Sequence, residues 1–331
     1  MNQLPGLERI REDSQDLAAA FRDAGFSLYA VGGCVRDAFM SDASSLDVDY
    51  TTNARPDDIL RLLRPLCTAT WDMGRAFGTI GGQLAATNCK VEITTFRSEA
   101  YSDSSRKPEV IFGDDLMVDL RRRDFTINAM AFDVIEPQLI APEGALSDLN
   151  ARILRTPTDP RVLFTDDPLR MLRAARFMSR FEFDIDPDVE AAAQELSERL
   201  TIVSAERIRV ELDLLLMTER PSLGLDFIVR TGLAEHFLPE LPGLALEQDP
   251  VHHHKDVLTH TYAVIEKVRR VTDSTETEPE GRSNLVVRLA ALFHDVGKPK
   301  TRAFTEKGVT FHGHDHVGAR MTKKRMAALK Y

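Results

Sequence analysis

Apolar residues recur three or four positions apart between residues 8 and 24, a spacing that predicts an amphipathic helix. "FSLYAVGG" follows, a short apolar run closed by Gly32 and Gly33, and reads as a strand entering a turn. "LDVDYTT", residues 46–52, alternates as a second strand. Pro56, with Asp57 and Asp58 behind it, opens a helix through "PDDILRLLRPL", proline at the first helical position and acids at the positive end of the dipole. "TIGGQLAA" and "CKVEITTF", separated by "TN", predict a hairpin. The first 140 residues thus read as a small mixed sheet with flanking helices. After about Asp148 helix follows helix, at 168–181, 187–200, 204–218 and 221–232, with Pro168, Pro187 and Pro221 near the starts. Beyond "LPELPGL" a third region is again helical, "DVLTHTYAVIEKVRRV" and "NLVVRLAALFHDVG", with the polar loop "TDSTETEPEGRS" between. The pattern predicts an α+β fold with domains at 1–145, 146–245 and 246–331.

The 331 residues provide for several buried cores, and 43% apolar with 28% charged residues is an ordinary globular balance. The longest apolar runs, such as "LDLLLM" and "LVVRLAALF", are too short to cross a bilayer, and the N-terminus carries acids where a signal peptide is apolar; a cytoplasmic protein with no membrane partner is expected. Cys34, Cys67 and Cys89 lack paired spacing and read as buried thiols. A net charge of −10 argues against coating nucleic acid nonspecifically, yet residues 161–180 hold five arginines against two aspartates, and "LRRRD" at 120–124 is a second basic knot.

Two aspartates at i and i+2 on a strand, Asp47 and Asp49, point to one face and repel unless a cation joins them. Such oxygen ligands suit Mg²⁺, which binds a few carboxylates with waters and nucleotide phosphates. Gly32 and Gly33 let the backbone approach a triphosphate, the amides near Val35 to Ala38 add an anion-binding helix end, and Arg36 can add a bidentate phosphate contact. Taken singly, the D-x-D is equally a solvated strand face and the glycine pair a turn. Their order, strand, glycines, helix, D-x-D strand, points to a metal-bound nucleoside triphosphate and in-line phosphoryl displacement.

"GGCVRDAF", "LDVDYTT", "RRRDFTINAMAFD", "DDPLRMLRAARF" and "SAERIRVEL" occur in this order and resemble the bacterial-type (class II) transfer RNA nucleotidyltransferases, the CCA-adding enzymes of the polymerase beta superfamily, over nearly the whole chain. The resemblance implies a polymerase-beta-like catalytic head, a helical neck and body, and template-free addition of C, C and A to the 3′ end of transfer RNA from CTP and ATP. Asp47 and Asp49 then hold Mg²⁺ and assist the attacking 3′-hydroxyl, and Arg123 and Asp124 match the positions that contact ribose and triphosphate. No obligate protein partner is implied.

An enzyme without a template must read bases with side chains. Cytosine and adenine share an amine donor beside a ring-nitrogen acceptor, which a carboxylate and a guanidinium satisfy together. Asp167 and Arg170, at i and i+3, supply that pair on one helix face. Asp167 before Pro168 is also an ordinary N-cap. The family motif here is Glu-Asp-x-x-Arg, and this chain has Asp166 in place of the Glu. Arg173 and Arg176 extend the face toward phosphates, or are a solvated face. Residues 96–112, with Arg97 and Arg106, match the family's flexible loop, whose presence favours addition of the final A; alone they read as a polar surface loop.

Eight of the nine histidines lie between His252 and His316, with His236 just before. "HHHKDVLTHT", "LFHDVGKPKT" and "FHGHDHVG" resemble the HD domain of metal-dependent phosphohydrolases. The match assigns His260, His294 and Asp295 as ligands for Mn²⁺, Fe, Ni²⁺ or Mg²⁺, with His314 and then His316 as second-metal candidates; His252 and His253 are left as ordinary residues. The last carboxylate ligand belongs to a later helix, so the site, and a chain that stops in "MTKKRMAALKY", are expected to be incomplete. CCA addition ranks first among functions. A poly(A) polymerase of the same superfamily, an HD phosphohydrolase with a nucleotide-sensing head, and an RNA-binding adaptor without chemistry follow.

Overall fold

The computed structural model describes residues 4–40, 48–100, 109–246, 256–272, 282–306 and 308–331. The chain forms two compact units, Met1–Asp159 and Pro160–Tyr331.

The first unit runs α1 (Pro5–Asp13), α2 (Gln15–Asp23), β1 (Tyr29–Val31), α3 (Gly33–Phe39), β2 (Val48–Thr52), α4 (Pro56–Leu63), β3 (Cys67–Trp71), β4 (Thr79–Leu84), β5 (Lys90–Thr95), β6 (Arg97–Ala100), β7 (Glu109–Phe112), α5 (Leu116–Arg121), β8 (Ala131–Asp133), β9 (Gln138–Ile140) and α6 (Ala145–Ala151). Seven strands form one sheet in the order β3-β4-β5-β2-β1-β8-β9. β2 and β5 run parallel and the other neighbours antiparallel, the mixed sheet that the alternation predicts. Val91 and Ile93 of β5 are buried while Lys90 and Glu92 are exposed, so one sheet face covers a core that includes Phe21, Leu28, Ile59 and Ile80. The single helix expected over 8–24 is instead two, broken at the fully buried Ser14. Its hydroxyl bonds the Ile10 carbonyl at 2.5 Å and the Tyr50 hydroxyl at 2.7 Å, and a serine satisfied in this way competes with the helical ladder.

The second unit runs α7 (Pro160–Asp166), α8 (Leu169–Phe181), α9 (Pro187–Glu195), α10 (Ala205–Leu216), α11 (Pro221–Arg230), α12 (Leu233–Phe237), α13 (Val257–Thr272), α14 (Arg282–Phe293), α15 (Lys298–Thr301) and α16 (His314–Ala328). Asp186 and Ser204 cap α9 and α10 through their side chains. A short hairpin, Ala303–Thr305 with Gly308–Thr310, precedes α16 in a region that reads as helical in the sequence. Neck and C-terminal helices share this unit because Arg288, 2% exposed, donates from Nη1 to the carbonyls of Leu216 at 2.6 Å and Thr218 at 3.4 Å, fastening α14 to the end of α10. No helix of the described residues is long and apolar enough to cross a membrane.

α8 and α11 meet at Gly224, whose amide donates to Ser179 Oγ at 2.8 Å. A Cβ there would stand 2.3 Å from the Ala175 carbonyl oxygen, backbone that cannot swing aside. Gly224→Ala is therefore expected to cost at least about 1–3 kcal/mol by overpacking. Gly243→Ala, where nothing lies within 4 Å, changes stability by less than about 0.5 kcal/mol. Urea unfolding of both variants checks the contrast.

Candidate functional site

β1 ends at Val31, and Gly32 turns the chain into α3 with φ +76° and ψ −129°, a conformation that a side chain would strain. A Cβ at Gly32 would lie 3.4 Å from Arg123 Nη1, and one at Gly33 3.4 Å from Arg36 Nη2, so two guanidinium groups line the turn. The antiparallel pairing Ala30↔Tyr50 brings this end of β1 to the end of β2 that carries Asp49. Cys34, one residue into α3, confirms the closeness. Its thiol is pushed up to about 12, by burial first and then by the Asp49 charge. Asp49 is exposed and stands in register opposite Glu92 of β5, also exposed. Asp47 lies outside the described residues. Two carboxylates side by side on neighbouring strands repel, and a divalent cation with oxygen ligands removes that cost, so the donor set fits Mg²⁺.

Arg123 is held by Asp119, a carboxylate with a side chain 1% exposed. Asp119 Oδ1 accepts from Arg122 Nε and Nη2, both at 3.1 Å, and from the Arg97 amide at 3.2 Å; Oδ2 accepts from Arg123 Nη2 at 3.2 Å and Thr51 Oγ1 at 3.4 Å. Burial opposes the ionised form, yet Arg123 and Arg122 hold the carboxyl below the usual carboxylate range. Asp119 thus ties Arg123 to β2 and to the base of the β6–β7 hairpin. Residues 101–108, Arg106 among them, lie outside the described residues.

Arg36 is turned inward. Its guanidinium, 3% exposed, donates to Asp37 at 2.7 and 2.8 Å and to the Asn128 side-chain oxygen. Asn128 in turn donates from Nδ2 to Asp124 Oδ1 at 3.0 Å. A bidentate contact with phosphate would require Arg36 to release these buried partners.

In the second unit Asp167 makes the contact expected of a cap and pairs with an arginine. Oδ1 accepts the Leu169 amide at 3.2 Å as a cap does, while Oδ2 accepts from Arg207 Nη2 at 2.9 Å, with the Asp167 side chain 30% exposed. Arg170 Nη1 donates to the Leu163 carbonyl at 3.3 Å. Arg176 is buried and Arg173 half-exposed. Glu211, 7% exposed, takes Arg176 Nε at 2.7 Å and Arg173 Nη1 at 3.7 Å, and Arg176 lies 4.2 Å from the Phe177 ring centroid.

The same unit gathers three imidazoles around Asp295. His294 Nε2 lies 3.1 Å and His260 Nε2 3.8 Å from Oδ2, and His314 Nε2 3.8 Å from Oδ1. His294 and His314 each pair Nδ1 with a backbone carbonyl, of Ala291 and Phe311, both at 2.8 Å, which leaves Nε2 to face the centre. Ligand atoms of His260, His294 and Asp295 lie within 4.8 Å of one another, a spacing that can hold a metal ion. Lys298 Nζ, 2.7 Å from Asp295 Oδ2, shares that oxygen. Burial opposes ionisation of Asp295, but hydrogen bonds from His294 and Lys298 hold it at about 2. The His260 pKa is lowered, by burial first, which favours the neutral imidazole a metal requires. His316 is 86% exposed and 4.0 Å from Asp315, away from this centre; His252 and His253 lie outside the described residues.

Residues 28–155 match the family model "Poly A polymerase head domain", residues 182–244 the model "Probable RNA and SrmB- binding site of polymerase A", and residues 257–331 the HD domain. Residues 28–155 belong to the poly A polymerase head-domain family. Among relatives of this family, a CCA-adding enzyme of Limosilactobacillus reuteri is 36% identical over 245 residues, 74% of this chain and 57% of that protein. The chain spans little more than half the length of the curated relatives it matches. The fold is also that of the Bacillus stearothermophilus CCA-adding enzyme solved in complex with CTP, with a TM-score of 0.60 at 25% identity over 96% of this chain and 83% of that one. A transfer RNA nucleotidyltransferase solved with a primer transfer RNA and an incoming ATP analog gives a TM-score of 0.55 at 25% identity, over 83% of this chain and 79% of that one.

Within the family head, sequence reading missed Asp119, Asn128 and Glu92. Glu92 was open to discovery, since "CKVEITTF" alternates as "LDVDYTT" does and parallel pairing aligns their acids. Asp119 makes the sharpest prediction for this site. Its lowered pKa means that it adds stability above the unfolded carboxylate value near about 4, lost as pH falls through the folded value. Asp119→Asn is expected to cost about 3–5 kcal/mol at pH 7, because two arginines lose a buried partner. In denaturant titrations the gap to wild type should narrow as pH falls below about 4; a gap independent of pH would contradict the ionised, buried assignment.

Proposed function

We propose that this chain is the catalytic part of a CCA-adding transfer RNA nucleotidyltransferase of the cytoplasm, taking CTP and ATP as donors and the 3′ end of transfer RNA as acceptor. One observation carries the reading: a glycine turn backed by the Arg123 guanidinium adjoins the exposed carboxylates of Asp49 and Glu92. A triphosphate needs close backbone, a fixed cation and metal ligands together, and this corner of the head offers all three. The relatives that are CCA-adding enzymes, and the similar structures solved with CTP or with a primer transfer RNA and an ATP analog, support the same substrates.

In this reading Asp49, with Asp47, holds Mg²⁺, which would neutralise developing charge and lower the pKa of the attacking 3′-hydroxyl. Gly32 and Gly33 admit the triphosphate and Arg123 donates to it. Asp124 accepts from the ribose. The RNA 3′-oxygen bonds to the α-phosphorus, the bond from that phosphorus to the bridging oxygen breaks, and pyrophosphate leaves. Asp167, oriented by Arg207, accepts from the exocyclic amine of cytosine or adenine, while Arg170 donates to the ring nitrogen. Uracil and guanine present the reversed polarity, and each mismatched contact costs roughly 1–3 kcal/mol. Arg173 and Arg176, set by Glu211, add positive potential for RNA or nucleotide phosphate.

The test uses transfer RNA ending at the discriminator base. CTP alone should add two residues, ATP alone none, and both together three; Asp49→Ala should abolish every addition. Addition from ATP alone, with none from CTP, would replace this reading by the poly(A) polymerase that the family descriptions also name.

In the second unit we assign His260, His294 and Asp295 to one divalent ion, Mn²⁺, Fe, Ni²⁺ or Mg²⁺, with His314 beside it. Mn²⁺ or Ni²⁺ at a hundredfold excess over its Kd should stabilise the protein by about 2.7 kcal/mol, and a chelator should reverse the gain. His294→Ala should remove it. An equal thermal shift in that variant places the metal elsewhere.

A further inference from the structure

We infer that Asn128 is a positioning residue that aims the Asp124 carboxylate at the ribose 2′-hydroxyl, and that Arg36 acts through Asn128 rather than on phosphate. The inference rests on the nucleotidyl transfer proposed above. Four buried polar side chains form one chain of contacts: Asp37 at 7%, Arg36 at 3%, Asn128 at 6% and Asp124 at 8% exposed. Arg36 donates Nε and Nη2 to Asp37 at 2.8 and 2.7 Å and Nη1 to Asn128 Oδ1. Asn128 Nδ2 donates to Asp124 Oδ1 at 3.0 Å. The Phe125 amide donates to the same oxygen at 2.8 Å.

The direction of this chain is forced by charge. A guanidinium only donates and an ionised carboxylate only accepts, so the amide between them has one permitted orientation, oxygen to Arg36 and nitrogen to Asp124. The flipped amide would set donor against donor and acceptor against acceptor. Asp37 in turn holds Arg36 at two nitrogens, which keeps Nη1 on the amide. Two donors converging on Oδ1 then fix the plane of the Asp124 carboxylate, and with it the heading of Oδ2. Asn128 closes a 3-10 turn, Thr126–Asn128, that begins two residues after Asp124, so the backbone delivers the amide to the carboxylate.

This placement has a chemical consequence for the sugar. Asp124 follows Arg123, whose guanidinium stands over the glycine turn. An aimed acceptor beside a triphosphate-binding cation suits a hydroxyl donor, and a deoxyribose lacks one. A site built to bond a hydroxyl disfavours the analogue without it, because that hydrogen bond is lost. Arg36 and Asp37 are therefore the buried support for sugar selection.

The test compares kcat/KM for CTP and dCTP in CMP or dCMP addition to transfer RNA. The wild type should prefer CTP, and in Asn128→Ala that preference should fall about tenfold, which corresponds to roughly 1.4 kcal/mol. Arg36→Lys keeps the charge beside Asp37 but loses the fork, and should lower the preference in the same direction by less. A purely structural role would reduce both nucleotides equally and leave the ratio unchanged; that result in a folded variant overturns the inference. Should Asn128→Ala lose its cooperative unfolding transition, the Arg36→Lys ratio decides alone. If the wild type adds no nucleotide from either triphosphate, the proposed function fails. The sugar inference is then decided by equilibrium binding of CTP against dCTP with Mg²⁺ in wild type and Arg36→Lys, and an equal ratio in the two proteins overturns it.

Discussion

A guanidinium that receives phosphate must already point at it, and in the head unit the carboxylate of Asp119 removes the choice of rotamer. Stripping water from a carboxylate costs several kcal/mol, and that cost is offset only when charged donors fill its oxygens. Arg122 and Arg123 do so, together with the Arg97 amide and the Thr51 hydroxyl. The outcome is one point at which α5, the strand bearing Asp49 and the root of the β6–β7 hairpin are joined. Arg123 is held before any ligand arrives, and in the proposed reading preorganised charge of this kind stabilises charge building on a reacting phosphate.

Buried acids organise the second unit by the same physics. Glu211 fixes Arg173 and Arg176, and the Phe177 ring beneath Arg176 completes its burial. Asp295 gathers three imidazoles and Lys298 around its own oxygens. In the proposed reading the first arrangement sets cations for phosphate, and the second sets ligand atoms for a metal ion. Asp295 stays ionised while largely out of water because its hydrogen-bond partners His294 and Lys298 hold its pKa down.

Much of this architecture was legible along the chain because periodicity reports burial directly. Alternation in "CKVEITTF" and "TIGGQLAA" placed β4 and β5, and Pro187 and Pro221 marked helix starts that the structure has at those residues. Gly32 was legible for a sharper reason, since a glycine between strand and helix signals a backbone that no side chain permits. Asp119 and Glu211 were not legible. Each sits within an amphipathic helix among other charges, and only the tertiary neighbours distinguish a buried acid from a solvated one. Arg36 misled for the same reason, because an arginine after a glycine turn has the same sequence signature whether it faces ligand or core. Ser14 broke a helix that periodicity alone continues, through a bond to Tyr50 thirty-six positions away. Asp167 shows its cap contact to the Leu169 amide, but its pairing with Arg207, forty positions away, has no signature in the sequence.

The central claim is that the Gly32 turn, Arg123 and the carboxylates of the β2–β5 pair grip one metal-bound triphosphate. Diffraction from crystals grown with CTP and Mn²⁺ tests it most directly, since the anomalous signal locates the ion independently of the nucleotide. The account predicts an Mn²⁺ peak within bonding distance of Asp49 Oδ atoms, with phosphate oxygens against the Gly32–Gly33 backbone and Arg123. A triphosphate bound elsewhere, or manganese only at the histidines around Asp295, would contradict it.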